Sequence, residues 1–326
     1  MSNIPVSDLG NPDNGTEHDE IGPLAVGHDH RGVRTRLIRE FRSAVDTART
    51  AAASSGQDLT TAVHEYRKAL RRARALVELV SATLPKHERK SILEALRDSR
   101  SALSVARDHA VAPGVLGAMA LGEPERAVAN EVLLAATQAA PADSEGELLL
   151  REGAARAAAQ ADALEAALPV FDEHEVFAGL ASTYRKARRA RRRAKRSMAQ
   201  FHRFRRRLKE LSYQLEFVAD LGSVRLHTLK DAYAGISTAC GAVADLVMSR
   251  EFVATYGGPR TTAQLDGLDS AMVAQIRDGV IAERMASRDL FAARTKKFAK
   301  KLSRALRKDN APNDVAVEGN DPGDSE

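Results

Sequence analysis

Apolar residues recur at helical spacing along most of the chain. Val33, Leu37, Phe41 and Val45 stand at every fourth position, which puts them on one face of a helix. The pattern predicts a first helix over 31–53, broken by Ser54-Ser55-Gly56. A second is predicted from 58–60 to about 84, stopped by Pro85. A third is expected over 86–111 and ended by Pro113-Gly114, because an interior proline removes a backbone donor and clashes with the preceding turn. Pro124, Pro141 and Pro169 bracket two more, at 123–139 and 144–168. The second half continues with 172–197, 198–221 after a tight turn near Ser197, 225–248, and a last helix over 266–308 following the loop Gly257-Gly258-Pro259. No segment alternates apolar and polar residues over a useful strand length, so the fold class expected is all-α.

Composition supports that reading. Hydrophobic residues make up 44% of the 326-residue chain, but aromatics only 4%, with no Trp. The core must then be built from Ala, Leu and Val, which suits close helix–helix packing. The single cysteine, Cys240, excludes a disulfide framework and a cysteine-based zinc site. No run approaches the roughly 18 uninterrupted apolar residues of a membrane span, and the N-terminus lacks a basic start followed by an apolar stretch. The expected location is cytoplasmic, with no membrane partner.

Charge changes the picture. The net charge is +5, yet residues 1–30 and 309–326 hold six acidic residues each and no Lys or Arg. These ends read as disordered acidic tails. Residues 31–308 therefore carry all 49 basic residues against 32 acidic ones, a net of +17. A body that basic attracts anions.

The basic residues are not scattered. Val63-His64-Glu65-Tyr66-Arg67-Lys68-Ala69-Leu70-Arg71-Arg72 has a second copy, Phe201-His202-Arg203-Phe204-Arg205-Arg206-Arg207-Leu208-Lys209-Glu210. Each copy has His at position 0, an aromatic at +2, basic side chains at +3 and +4, Leu at +6 and a basic side chain at +7. Positions 0, +3, +4 and +7 share a helix face. His64, Arg67, Lys68 and Arg71 therefore point one way, and His202, Arg205, Arg206 and Lys209 do the same on the second helix. The stripes Tyr66, Leu70, Ala73, Val77, Val80 and Phe204, Leu208, Leu211, Leu215, Val218 face inward. Stacked like charges destabilise an isolated helix by about 0.2–0.5 kcal/mol per pair, a cost an anionic ligand relieves. A merely solvated face interleaves Glu with Lys. Between Tyr184 and Glu210 there are fourteen Lys or Arg residues, mostly Arg, whose planar fork suits phosphate. Arg185, Arg188, Arg189, Arg192 and Arg196 share a face there.

At these residues the chain resembles the CHAD family, the conserved-histidine α-helical domain, whose hallmark is a His–x–x–basic–basic–x–Leu–basic helix in each half. Ala106-Arg107-Asp108, the segment 184–190 beginning Tyr184-Arg185-Lys186, and the segment Leu290-Phe291-Ala292-Ala293-Arg294-Thr295-Lys296-Lys297-Phe298 are similar to further family elements in the same order. The last departs from the family pattern at Ala293 and Thr295, where Glu and Pro are usual. The resemblance covers about 31–308. It implies two helical-bundle halves, about 31–168 and 172–308, related by a pseudo-two-fold around a basic central cavity. It also implies non-catalytic binding of inorganic polyphosphate and association with polyphosphate granules. No companion CYTH-type triphosphatase domain is expected in the segment before 31.

The residues expected to touch phosphate are Arg67, Lys68, Arg71, Arg188, Arg205, Arg206 and Lys209, with Arg107 and Arg294 as secondary contacts. Arg72, Arg185 and Arg192 complete the expected polyphosphate-binding set, with His64 and His202 bordering the site. Two other functions compete. Nucleic acid would suit the charge, but aromatics for base stacking are scarce. A helical scaffold with a basic surface is the other. No Gly-rich phosphate loop, Ser–His–Asp signature or metal cluster marks an enzyme, and no cofactor is expected. His28-Asp29-His30 lies in the acidic tail and reads as incidental.

Overall fold

A computed structural model describes residues 30–140, 142–219, 224–258 and 262–309. Among them the chain is 86% helical, with eleven α-helices and no strand. The acidic tails and the His28-Asp29-His30 run fall outside the described residues, apart from His30 and Asp309 at the helix ends.

The first hairpin is α1 (His30–Ala53) and α2 (Leu59–Leu79). Asp58 starts α2 by accepting a hydrogen bond from the Thr61 amide at 3.0 Å, which satisfies one of the open donors of the first turn. α3 (Lys86–Ser101) and α4 (Ser104–Ala118) follow where one helix over 86–111 was expected. The chain turns at Ala102 and Leu103, with Leu103 fully buried. α4 then runs through Pro113 instead of ending there. Pro113 removes one donor, but Ala112 and Leu116 on the same helix are buried, and their packing outweighs a local proline cost of about 3 kcal/mol.

α5 (Glu123–Gln138) and α6 (Asp143–Ala167) match their expected spans closely. α7 (Glu173–Arg193) opens with a capping box between Asp172 and Glu175, and a turn at Ala194–Ser197 leads into α8 (Met198–Ala219). α9 (Val224–Tyr256) runs two turns past its expected end at Met248. It is long and apolar enough to cross a membrane by length and composition. Here Leu226, Tyr233, Cys240 and Val243 enter the core, and the helix packs on α4, α8 and α10. The expected last helix is instead α10 (Thr262–Ala286), a 3-10 turn at Asp289–Phe291, and α11 (Thr295–Asp309). Burial of Phe291 explains the break: its ring packs against Tyr184, Phe204 and Tyr233.

The repeat extends beyond the motif. α3 and α4 together occupy 86–118 and α9 occupies 224–256, the same span displaced by the interval that separates His64 from His202. One apolar core joins the two halves, running from Val33 to Leu302. A smaller one holds α4 and α5 against α10 and the end of α9. At the junction α2 packs on α8, and Gln214 donates a buried 3.0 Å hydrogen bond to the Ala75 carbonyl. α7 meets the end of α2 so closely that a Cβ on Gly179 would lie 1.8 Å from the Leu79 carbonyl oxygen.

Candidate functional site

The α2 face behaves as its spacing requires. His64, Arg67, Lys68 and Arg71 all line one cavity of about 660 Å³. α8 supplies Arg205, Lys209 and Tyr213 to the same cavity, α4 supplies Arg107, and α9 closes it with Ser237, Thr238 and Asp245. The apolar stripes that fix the two motif helices begin at Tyr66 and Phe204, both fully excluded from solvent. The inward faces thus hold the cationic faces towards each other.

The α8 copy of the motif divides. Arg205 and Lys209, at +3 and +7, line the cavity, but His202 and Arg206, at 0 and +4, do not. On a helix the two pairs lie on either side of the face centre, and α8 is rotated so that +3 and +7 turn towards α2 and α9. Arg206 instead lines a separate concavity of about 420 Å³ with Arg74, Arg203, Arg207 and residues of α7. The four side chains share one helix face, but only its +3 and +7 edge lines the cavity, so, against expectation, His202 and Arg206 are not cavity residues.

The other sequence candidates also sit apart from the cavity. Arg72 reaches Glu40 at 3.4 Å and Glu216 at 3.8 Å. Arg188 donates through Nε to the Phe291 carbonyl at 3.1 Å, so it holds the 3-10 turn. Arg185, Arg192 and Arg294 are not in the cavity lining, and Arg192 and Arg294 are exposed. Lys68 lies 3.3 Å from Glu65 on its own helix, so this motif cation already has an acidic neighbour.

Inside the cavity the cations are held under electrostatic pressure. Burial, reinforced by Arg71, Arg100 and Arg107, pushes the Arg67 guanidinium down to about 9. Burial and Arg205 lower Arg71. Burial is also the main cause lowering Arg205, with Arg107 adding to it and Asp245 opposing it. Lys209 is lowered by burial, then by Arg71 and Arg205. Behind them burial and Arg71 bring Arg100 down to about 10. A nearby anion would favour the charged form of each. Arg67 is positioned by a 2.8 Å hydrogen bond from Nη1 to the Arg100 carbonyl. Its Nε, the Nε of Arg205 and the Ser237 hydroxyl are buried with no hydrogen-bond partner in the protein. Buried donors normally find partners, and all three atoms belong to residues of the cavity wall.

Sequence reasoning missed the α9 wall and Tyr213. Ser237, Thr238 and Asp245 belong to no basic run and carry no motif. The available signal for Asp245 was its place in the repeat, since it stands to Arg107 as His202 stands to His64. For Tyr213 it was the cationic Lys209 one turn earlier, whose Nζ lies 5.0 Å from the ring centre. The Leu290–Phe298 segment proves structural: Phe298 stacks on Tyr184 at 3.8 Å, and the Tyr184 hydroxyl donates to the Ala293 carbonyl at 2.8 Å. Among the described residues Asp172, His174 and Glu175 could geometrically share a metal, but Asp172 and Glu175 are already occupied in the capping box of α7.

Comparison with known proteins adds one positive finding. The family model described as CHAD domain matches residues 36–254, about two thirds of the chain, from α1 into α9. No match is found among the curated proteins.

Proposed function

Because the chain belongs to the CHAD domain family, we propose that it binds inorganic polyphosphate in the cavity between α2 and α8 and does not turn it over. CHAD domains are linked to polyphosphate binding in general. The observation that carries the proposal for this chain is the convergence of Arg67, Arg71, Arg205 and Lys209 on one space. Each Arg offers planar N–H donors matched to phosphate oxygens. A polymer with about one negative charge per unit meets several of these cations at once, and its condensed counterions leave as it binds. The two motif helices act as pseudo-two-fold partners in this reading, each contributing its side chains at positions +3 and +7.

The proposal places the protein in the cytoplasm at polyphosphate granules, where such a polymer accumulates. Titration with polyphosphates of defined length should show saturable binding that Arg67→Ala with Arg205→Ala abolishes. Incubation with divalent metal should release no phosphate. Displacement of bound polyphosphate by RNA at matched charge would favour nucleic acid instead, and absence of binding at all lengths would end the polyphosphate reading.

A further inference from the structure

On the polyphosphate reading of this cavity, selectivity depends on the charge that the ligand meets at its wall. Asp245 is the one carboxylate among the described residues lining the cavity. It projects from α9 and pairs with Nη2 of Arg107 on α4. Both side chains are largely buried, at 29% and 21% exposure. Arg107 also holds Asp108 at 3.0 Å, so its charge is compensated twice over. Among the described residues, no carboxylate of the cavity pairs with Arg67, Arg71, Arg205 or Lys209. The cavity therefore contains both cations awaiting an anion and an anion already in place.

We propose that Asp245 is a built-in counter-anion of the cavity, a specificity-determining carboxylate that an incoming polyanion must displace from Arg107 and that small anions displace poorly. A small anion entering near Arg107 exchanges one charge-assisted contact for another and gains little. A long chain loses the same contact once but gains further contacts at Arg71, Arg205 and Lys209. Linked contacts of one ligand add far more than separate ones. The Asp245 charge thus penalises short anions relative to long ones, which is discrimination by an opposed element as well as by attraction. A purely structural Asp245 predicts the opposite sign, since losing the residue that orients Arg107 would weaken every ligand.

The test is isothermal titration of the full chain with tripolyphosphate and with long-chain polyphosphate, comparing wild type, Asp245→Asn and Asp108→Asn. Asn keeps the shape and an acceptor for Arg107 but drops the charge. Asp245→Asn should bind tripolyphosphate about tenfold tighter, an effect equivalent to about 1.4 kcal/mol, and should narrow the ratio between long and short ligands. Asp108→Asn, outside the cavity lining, should change both affinities less. Should Asp245→Asn fail to give a cooperative melt, Asp245→Ser reports the same sign. Unchanged or weaker tripolyphosphate binding by the charge-free variant overturns the inference, as does an equal gain from Asp108→Asn. Wild type that binds long polyphosphate with Asp245→Asn unaltered leaves the parent reading standing and removes only this one. Wild type that binds no polyphosphate removes both.

Discussion

Replacing Arg71 by Gln isolates a single cavity cation. Arg71 lies on α2 in the cavity lining, where burial and Arg205 oppose its charge. Four lining cations, Arg67, Arg71, Arg205 and Lys209, have no cavity carboxylate paired to them among the described residues. Treating the polymer as a single-stranded polyanion, the logarithm of affinity should fall with the logarithm of salt at a slope of about 0.7 per contact. Four contacts give a slope of about −3, so raising monovalent salt about fourfold weakens binding about 50-fold. Arg71→Gln should bring the slope to about −2 and the same salt step to about 20-fold. At fixed salt it should also cost about 1.5–3 kcal/mol, the range for a charged hydrogen bond. The unliganded variant should melt no lower than wild type, because the residue removed is a cation that burial and its neighbours disfavour. Fluorescence anisotropy of labelled polyphosphate at four or more salt concentrations, with a thermal melt, reads all three. A slope that Arg71→Gln leaves unchanged would show that the polymer binds elsewhere, and a wild-type slope near zero would refute the electrostatic mechanism itself.

Three further outcomes are expected. Arg205→Ala should weaken polyphosphate binding by at least about tenfold more than Arg206→Ala, although the two are adjacent in the motif, because only Arg205 lines the cavity; equal losses would contradict the α8 rotation. Gly179→Ala should lower stability by about 1–3 kcal/mol, read from denaturant midpoints, because its Cβ would collide with the Leu79 carbonyl; an unchanged midpoint would deny the close α2–α7 contact. His202 is held below its ordinary value of 6.5 by burial and by Arg205 and Arg206. The unfolded chain therefore takes up the proton first, so stability is unaffected well above that value and falls as pH drops through it. The denaturant midpoint should decline from about pH 7.5 to about pH 5.5, and His202→Gln should flatten that decline; an identical decline in the variant would assign it to other groups.

The all-helical fold was legible because apolar spacing is a local property. The stripe from Tyr66 to Val80 and its counterpart from Phe204 to Val218 needed nothing but helical periodicity to be assigned inward. Helix ends were legible where a local cap sets them, as at Asp58 and Asp172. They were misjudged where distant packing decides. Pro113 stops a helix by local rules, yet α4 continues because Ala112 and Leu116 are buried. The last helix breaks because Phe291 is drawn into a ring cluster with Tyr184, Phe204 and Tyr233, all remote from it along the chain.

The sequence alone determined which residues are cationic, that the His-headed motif occurs twice, and that positions 0, +3, +4 and +7 share a helix face. Those facts follow from covalent order and helix geometry. Only the tertiary structure decided how far each face is rotated towards its neighbour. A helix turns about its axis to bury its apolar stripe, and that rotation separates Arg205 from Arg206 and sends Arg188 to a backbone carbonyl. The same packing brings α9 alongside, placing Asp245 among the arginines, and no local pattern in either segment specifies that meeting.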